Sequence, residues 1–175
     1  MVSVVFLRGI NVGGANLCKP AQLAKQLSKF DMVNVGAVGT FVVRENVSEP
    51  VLRSAIAKKL PFKCEIMICP AKSIIDVARR DPFKGQPSGP EITRFMSVAH
   101  KRPKPLPFPL PLALPSADDW LLKIIAIPDR FVLGIYRREM KAIGYLGKIE
   151  KILGIPATTR SWNTIEKVVK ILSQD

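Results

Sequence analysis

The sequence predicts an α+β fold built from two ferredoxin-like (split βαβ) units in tandem, with mainly antiparallel sheets and helices packed on them. Short apolar, β-branched runs alternate with segments whose apolar residues recur at helical spacing. In the first half these segments follow the order strand, helix, two strands, helix, strand, with an extra helix at the end, which is the order of a split βαβ unit. The second half repeats that order with a proline-rich segment in place of its first helix.

The first unit is predicted to cover residues 1–83, with 84–90 as a glycine- and proline-containing connector. Its strands are predicted at Val2–Leu7, 33–38, 40–44 and 65–69. Its helices are predicted to begin at Lys19-Pro20, after Ser48 as an N-cap, and after Ser73 as an N-cap.

The second unit is predicted to cover residues 91–175, with strands at 92–100, 120–127, 130–137 and 158–162. A helix is expected over 139–153, with its inward face formed by Met140, Ile143, Leu146, Ile149 and Leu153. Asn163 is expected to cap the last helix, because Glu166 follows it at capping-box spacing.

The segment 103–115 carries prolines at 103, 105, 107, 109, 111 and 115. Proline lacks an amide donor and disfavours helix for the residue before it, so this segment is predicted to be extended. We interpret it as a stiff crossover whose leucines and Phe108 pack onto the domain. The alternative is a docking ligand for a proline-reading domain.

The charge balance is strongly basic, with 27 lysines and arginines, 14 acidic residues and a formal net charge of +13. Such a surface attracts phosphates, whether in nucleic acid, in a small molecule or on an anionic membrane. The densest cluster is Lys101, Arg102 and Lys104, next to His100, the one histidine of the chain. The alternative is a generally basic surface with no such partner.

The sequence shows no secretory signal and no apolar run of the roughly 20 residues that span a bilayer. We therefore expect a cytoplasmic protein with no membrane partner. The cysteines, Cys18, Cys64 and Cys69, do not have the spacing of a metal knuckle, so they are expected to be reduced thiols. No metal or cofactor is predicted.

The stretch FLRGINVGGAN, from Phe6 to Asn16, joins the first strand to the first helix. Its glycines, Gly9, Gly13 and Gly14, permit backbone angles closed to other residues, so its amides could cradle a phosphate with Arg8 as a charged donor. The spacing matches neither G-x-G-x-x-G nor the P-loop pattern. The alternative is a strand-to-helix turn in which Asn11 and Asn16 bond to the backbone.

The stretch TTRSWNT near the other end alternates polar residues with Arg160 and Trp162, so one face of an extended segment carries both. An arginine beside an exposed tryptophan could stack on a base or ring. The alternative places Trp162 in the core and pairs Arg160 with a carboxylate.

Two stretches, LRGINVGGAN and PATTRSWNTIEKV, together resemble a bacterial family of unknown function whose members open with LRGINVGG and close with a TTRNWNT-like segment. The resemblance implies a duplicated ferredoxin-like fold and supplies no activity. The matching residues are Arg8, Gly9, Asn11, Gly13, Gly14, Thr158, Thr159, Arg160, Trp162, Asn163 and Thr164. The chain departs from the family at Ser161, at AVGTFVV and at YRREMKAIGYLGK.

The leading hypothesis is a module that binds a phosphate-bearing or other anionic ligand between these two end motifs. The predicted ligand-binding residues are Arg8, Asn11, Gly13, Gly14, Arg160, Trp162 and Asn163. The alternatives are non-specific nucleic-acid binding through the basic surface, or an enzyme of unknown reaction at the same surface. No catalytic residue is predicted.

Overall fold

The computed structural model of the chain describes residues 1–174. It divides into two compact units. The first comprises Met1–Arg79 together with the chain from Glu166 onward, and the second comprises Arg80–Ile165. The predicted α+β class with two antiparallel sheets is confirmed.

The described part of the first unit contains a four-stranded antiparallel sheet, three whole α-helices and the later part of the chain's last helix. Its strands are β1 (Ser3–Leu7), β2 (Met32–Asn34), β3 (Thr40–Val43) and β4 (Ile66–Pro70). Its helices are α1 (Pro20–Gln26), which is followed by a 3-10 turn at Ser28–Phe30, α2 (Glu49–Lys59) and α3 (Ala71–Arg79). The strand order is β2-β3-β1-β4, so the first strand lies between the third and the fourth, as a split βαβ unit requires.

One face of this sheet packs against both α1 and α2. Alternate strand residues such as Val5 and Leu7 point to the same face and join a hydrophobic cluster with Leu23 of α1 and Ile56 of α2. The two helices therefore lie side by side on the sheet, and the space between them opens to solvent beside the β1–α1 loop.

The second unit contains a five-stranded antiparallel sheet. Its strands are β5 (Ile92–Ala99), β6 (Leu112–Leu114), β7 (Leu122–Ala126), β8 (Phe131–Arg137) and β9 (Ala157–Ser161). Its helices are α4 (Met140–Leu146) and α5 (Ile149–Leu153), and α6 (Trp162–Leu172) begins in this unit. The order β6-β7-β8-β5-β9 repeats the first sheet's topology, with β6 added at one edge.

The proline-rich segment supplies this extra edge strand. Leu112–Leu114 pairs antiparallel with β7, and both leucines pack against the hydrophobic cluster of the second unit. The Leu110-Pro111 and Leu114-Pro115 peptide bonds that flank it are cis. The expectation of a crossover whose leucines pack onto the domain is confirmed for these two residues.

The helix predicted over 139–153 is divided in two, and part of its predicted inward face is wrong. Met140 is 86% exposed and Ile143 is 57% exposed, whereas Ile149 and Leu153 are buried as expected. The break falls at Gly147 and Lys148, where glycine is a poor helix former, whereas Gly144 lies within α4.

Two predicted caps are also wrong, for a common reason. Pairing with β5 continues through Ser161, so α6 begins at once at Trp162 and Asn163 lies in the first turn. In the same way β4 runs to Pro70 and α3 follows directly, which places Ser73 inside that helix. Because α6 crosses the division between the units, the domain limits 1–83 and 91–175 stay a prediction.

Candidate functional site: an opening hairpin beside a basic cleft

The glycine-rich loop after β1 folds as a miniature hairpin. The Ala15 amide donates to the Val12 carbonyl at 3.0 Å, and the Asn11 amide donates to the Asn16 carbonyl at 3.1 Å. The two central residues, Gly13 and Gly14, have φ angles of +58° and +77°. A two-residue hairpin turn with two positive φ angles is the type I′ geometry that glycine permits. The turn itself thus sets both positive φ angles, which glycine adopts without strain.

The two asparagines of the loop bond to the backbone. The Asn11 side chain accepts from the Cys18 amide at 2.8 Å, and it donates to the carbonyls of Cys18 at 2.8 Å and Ala37 at 3.2 Å. The Asn16 side chain donates to the Gly9 carbonyl at 3.2 Å. Both asparagines have positive φ, which this residue type tolerates. These bonds therefore confirm the alternative in which Asn11 and Asn16 bond to the backbone of a turn.

Arg8 lies at the base of the hairpin, where the β1–β4 pairing continues. Its amide donates to the Glu65 carbonyl at 3.0 Å, and the residue is half-buried. The neighbouring β2–β3 turn closes over the same base, since the Leu7 amide donates to the Gly39 carbonyl at 2.8 Å. A side chain at Gly39 would place a Cβ 2.8 Å from Ile10 Cδ1, so the hairpin base requires glycine there.

A cleft of about 470 Å³ opens beside the hairpin, and we call it the hairpin cleft. Its polar lining consists of Asn11, Cys18, Lys19, Gln22, Gln26 and Lys59. Leu17, Leu23, Leu60 and Pro61 complete the wall. No aspartate or glutamate is among these described lining residues, so the cleft is positively charged.

Topology explains why residues so distant in sequence share this cleft. Lys19 precedes α1 and Lys59 ends α2, and both helices lie on the same face of the sheet. Sequence reasoning did not predict Lys19 and Lys59 as site residues. The site could have been predicted from the split βαβ order, because that order places the first and second helices side by side.

Two thiols lie at the edge of this region. Burial raises the pKa of the Cys18 thiol. Burial is also the main cause that raises the pKa of Cys64, and the charge of the nearby Cys18 raises it further. Thiols with raised pKa values are protonated at neutral pH and are weak nucleophiles. Within the described residues, no group of three His, Cys, Asp or Glu side chains is placed to hold a metal ion.

The closing segment belongs to the interior of the second unit. Trp162 is 7% exposed, and its ring makes an edge contact with Phe83 at a centroid distance of 4.9 Å. Arg160 is 5% exposed and donates to the Thr158 hydroxyl at 2.7 Å and to the Thr159 carbonyl at 3.0 Å. Burial lowers the pKa of Arg160 to about 10, which still leaves the guanidinium charged at neutral pH. The structure thus confirms the alternative in which Trp162 lies in the core.

A second basic cleft, of about 460 Å³, lies along the proline-rich segment of the second unit. Arg102, Lys104, Phe108, Ile127 and Asp129 contribute to its lining. The backbone beside it is fixed by Arg130, whose guanidinium donates to the carbonyls of Ala99 and His100 at 2.8 Å each. We call this cleft the crossover cleft.

Sequence reasoning missed one cation–aromatic cluster in the second unit. Trp120 lies between Lys123 Nζ, 4.5 Å from the ring centroid, and the Arg137 guanidinium, 4.1 Å from it. Trp120 is buried, and its carbonyl accepts from Arg137 at 2.9 Å. These contacts tie β7 to β8 and give the cluster a structural role.

The two sheets define an α+β protein with duplicated ferredoxin-like topology. A family model described as "Protein of unknown function (DUF1697)" matches residues 1–107, which is more than half of the 175 residues. The chain belongs to this family, and the prediction of a family of unknown function is confirmed.

A solved structure supports the fold along the whole chain. It is described as that of the conserved bacterial protein SP0830 from Streptococcus pneumoniae, and the alignment covers 98% of each chain with a TM-score of 0.56 and 14% identity. At this identity the likeness concerns the fold alone. No curated protein matches the sequence. Among residues 1–174, no helix combines the length and the hydropathy of a membrane-spanning segment.

Proposed function

We propose that the first unit binds a small phosphate-bearing ligand in the hairpin cleft. The observation that carries this proposal is the charge of the lining, which includes Lys19 and Lys59 and no acidic residue among those described. Phosphate oxygens accept charge-assisted hydrogen bonds from lysine, and such bonds are stronger than neutral ones. The net charge of +13 adds long-range attraction for an anion.

The remaining lining favours a ligand with an organic body over a bare anion. Gln22 and Gln26 are four residues apart on α1, so their side chains lie on the same face of the helix and offer amide donors. Leu17, Leu60 and Pro61 offer apolar contact in the same lining. A few polar groups among apolar walls are typical of small-molecule sites of this volume.

The residues predicted from the opening loop have two different proposed roles. Gly13 and Gly14 form the turn of the hairpin, and Asn11 bonds the hairpin to Cys18 just before α1, so these residues position the cleft wall. Arg8, at the hairpin base, remains our proposed additional anion contact. As ligand contacts, Arg160, Trp162 and Asn163 remain predictions from the sequence.

A thermal-shift screen of nucleotides and other phosphate compounds tests this proposal. At least one compound should raise the melting temperature of the wild-type protein, because a ligand that binds only the folded state stabilises it by mass action. Lys19→Gln and Lys59→Gln should each remove the rise. Lys63→Gln is the matched control, since Lys63 is exposed and lies outside the cleft lining. A full rise in both cleft variants would contradict the proposal.

A second candidate function is binding of single-stranded nucleic acid at the crossover cleft. The observation that favours it is the grouping of Arg102 and Lys104 with the half-buried Phe108, a basic surface beside an aromatic ring. The affinity should fall steeply with salt, with a slope of about −0.7 per phosphate contacted. Neutralising Lys101, Arg102 and Lys104 together should lower that slope, whereas neutralising Lys141, Lys148 and Lys151 should not. An equal effect of the two triple variants would indicate that nucleic acid binds through general charge attraction and not at a defined site.

A further inference from the structure

A separate groove runs between the end of α1 and the outer side of α2, and we call it the helix groove. It has a volume of about 600 Å³. Its lining includes Leu27 and Phe30 at the bottom, with Val51, Ala55 and Lys58 along α2. Gln26 and Lys59 line both this groove and the hairpin cleft, so the two are neighbours.

The α2 helix exposes Val51 next to Ala55, which is half-buried and packs against the edge of the core cluster. Leu52 and Ile56 are fully buried against the sheet, whereas Val51 is 54% exposed. Val51 and Ala55 are four residues apart and therefore lie on one face of the helix, with Lys58 continuing the same row. The helix groove thus has a short apolar strip along one wall, formed by the exposed Val51 and the half-buried Ala55.

The lining of the helix groove is positively charged around the apolar strip. Lys58 and Lys59 lie in the last turn of α2, and Lys29 lies on the facing wall. No acidic residue is among the described lining residues of this groove. The nearest acidic residue on α2, Glu49, is paired with Arg53 at 2.7 Å, which reduces its effect on the groove.

We propose that the helix groove docks an acidic amphipathic helix of a partner protein. Such a helix presents an apolar stripe with glutamate or aspartate on its flanks, which complements the apolar strip and the lysines beside it. A nucleic-acid strand fits less well, since it needs exposed aromatic faces for stacking. Phe30 is only 7% exposed, and Lys29 Nζ covers its ring at 4.9 Å.

The test uses a synthetic peptide of about 18 residues with leucines at helical spacing and glutamates on both flanks. Fluorescence anisotropy should show saturable binding with a Kd below about 100 µM. The same peptide with glutamine in place of glutamate should bind at least about tenfold more weakly, because it loses the charge complementarity.

Variants on the two walls locate the binding. Val51→Asp and Lys58→Glu should each weaken binding by about tenfold or more, whereas Lys63→Glu, a matched charge reversal outside the groove, should have little effect. Val51 and Lys58 are exposed, so these variants should fold. Lys19→Gln should leave peptide binding intact, which separates this inference from the phosphate proposal.

Three results would overturn the inference. The first is no saturable binding at about 1 mM peptide, and the second is an equal loss in Lys63→Glu, which would indicate non-specific charge attraction. The third is a single-stranded oligonucleotide that binds more tightly than the peptide and loses affinity in Val51→Asp. That result would assign the groove to nucleic acid.

Discussion

The Asn11 side chain pairs with the main chain of Cys18 as a neighbouring strand would. Its Oδ1 accepts from the Cys18 amide and its Nδ2 donates to the Cys18 carbonyl, each at 2.8 Å. The same Nδ2 also donates to the Ala37 carbonyl at 3.2 Å. One side chain therefore joins the hairpin, the segment that leads into α1 and the β2–β3 turn.

Asn11→Asp should lower the free energy of unfolding by about 1–2 kcal/mol. The carboxylate keeps the shape of the side chain but loses both donated bonds and faces two carbonyl oxygens. Urea unfolding followed by circular dichroism measures the difference. Asn46→Asp, at an exposed position, is the matched control and should be nearly neutral. Equal stability of the two variants would refute a joining role for Asn11.

The hairpin turn should discriminate between residue types by backbone conformation alone. A Cβ at Gly13 would have no atom within 4 Å, so space does not limit substitution there. Gly13→Ala should nevertheless cost about 1 kcal/mol, because φ is +58° and L-residues disfavour that region. Gly13→Asn should recover most of the loss, since asparagine tolerates positive φ. If alanine and asparagine are equally tolerated in urea unfolding, the turn type is wrong.

Substitutions at Gly39 and Gly36 can separate the effect of steric contact on stability from the effect of backbone conformation. Their φ angles are nearly equal, +83° and +84°, but a Cβ at Gly39 would lie 2.8 Å from Ile10 Cδ1 and 2.9 Å from Leu7 Cβ. A Cβ at Gly36 would have no atom within 4 Å. Gly39→Ala should therefore destabilise by about 1–3 kcal/mol more than Gly36→Ala in thermal unfolding. Equal losses would mean that the hairpin base is not closely packed.

The reactivity of the Cys18 and Cys64 thiols should depend on pH. Because burial raises the pKa values of Cys18 and Cys64, both should react slowly with iodoacetamide near neutral pH, with rates that still climb above pH 9. In the alkaline range where Cys18 also ionises, Cys18→Ser should speed alkylation of Cys64, since the Cys18 thiolate raises the pKa of Cys64. Mass spectrometry of the alkylated peptides resolves the two sites, and the urea-unfolded protein is the reference. A Cys64 rate that does not change in Cys18→Ser would contradict the coupling.

The fold was predictable because apolar periodicity and element order decide topology in a duplicated split βαβ protein. The details that failed are local. Met140 and Ile143 fit an inward helical stripe, but the helix is interrupted after Leu146 and α4 buries Ala142 instead. Asn163 fits a cap, but strand pairing runs through Ser161 and moves the helix start. Such competition between neighbouring elements is not visible in a local pattern.

The candidate site was only half predictable for a similar reason. Gly13, Gly14 and the two asparagines of the loop predicted a turn with unusual backbone angles, and the structure shows that turn. The lysines of the cleft, Lys19 and Lys59, are 40 positions apart and belong to no motif. Only the packing of α1 beside α2 brings them into one lining.

The most direct test of the anion-site proposal is a two-dimensional 15N–1H NMR titration with a phosphate compound that stabilises the protein. The account predicts saturable shifts in the amides of Asn11, Cys18, Lys19 and Lys59, with one common Kd, and their loss in Lys59→Gln. Shifts confined to Arg102, Lys104 and Phe108 would move the anion site to the crossover cleft. Uniform small shifts at exposed lysines throughout the chain would contradict a defined site.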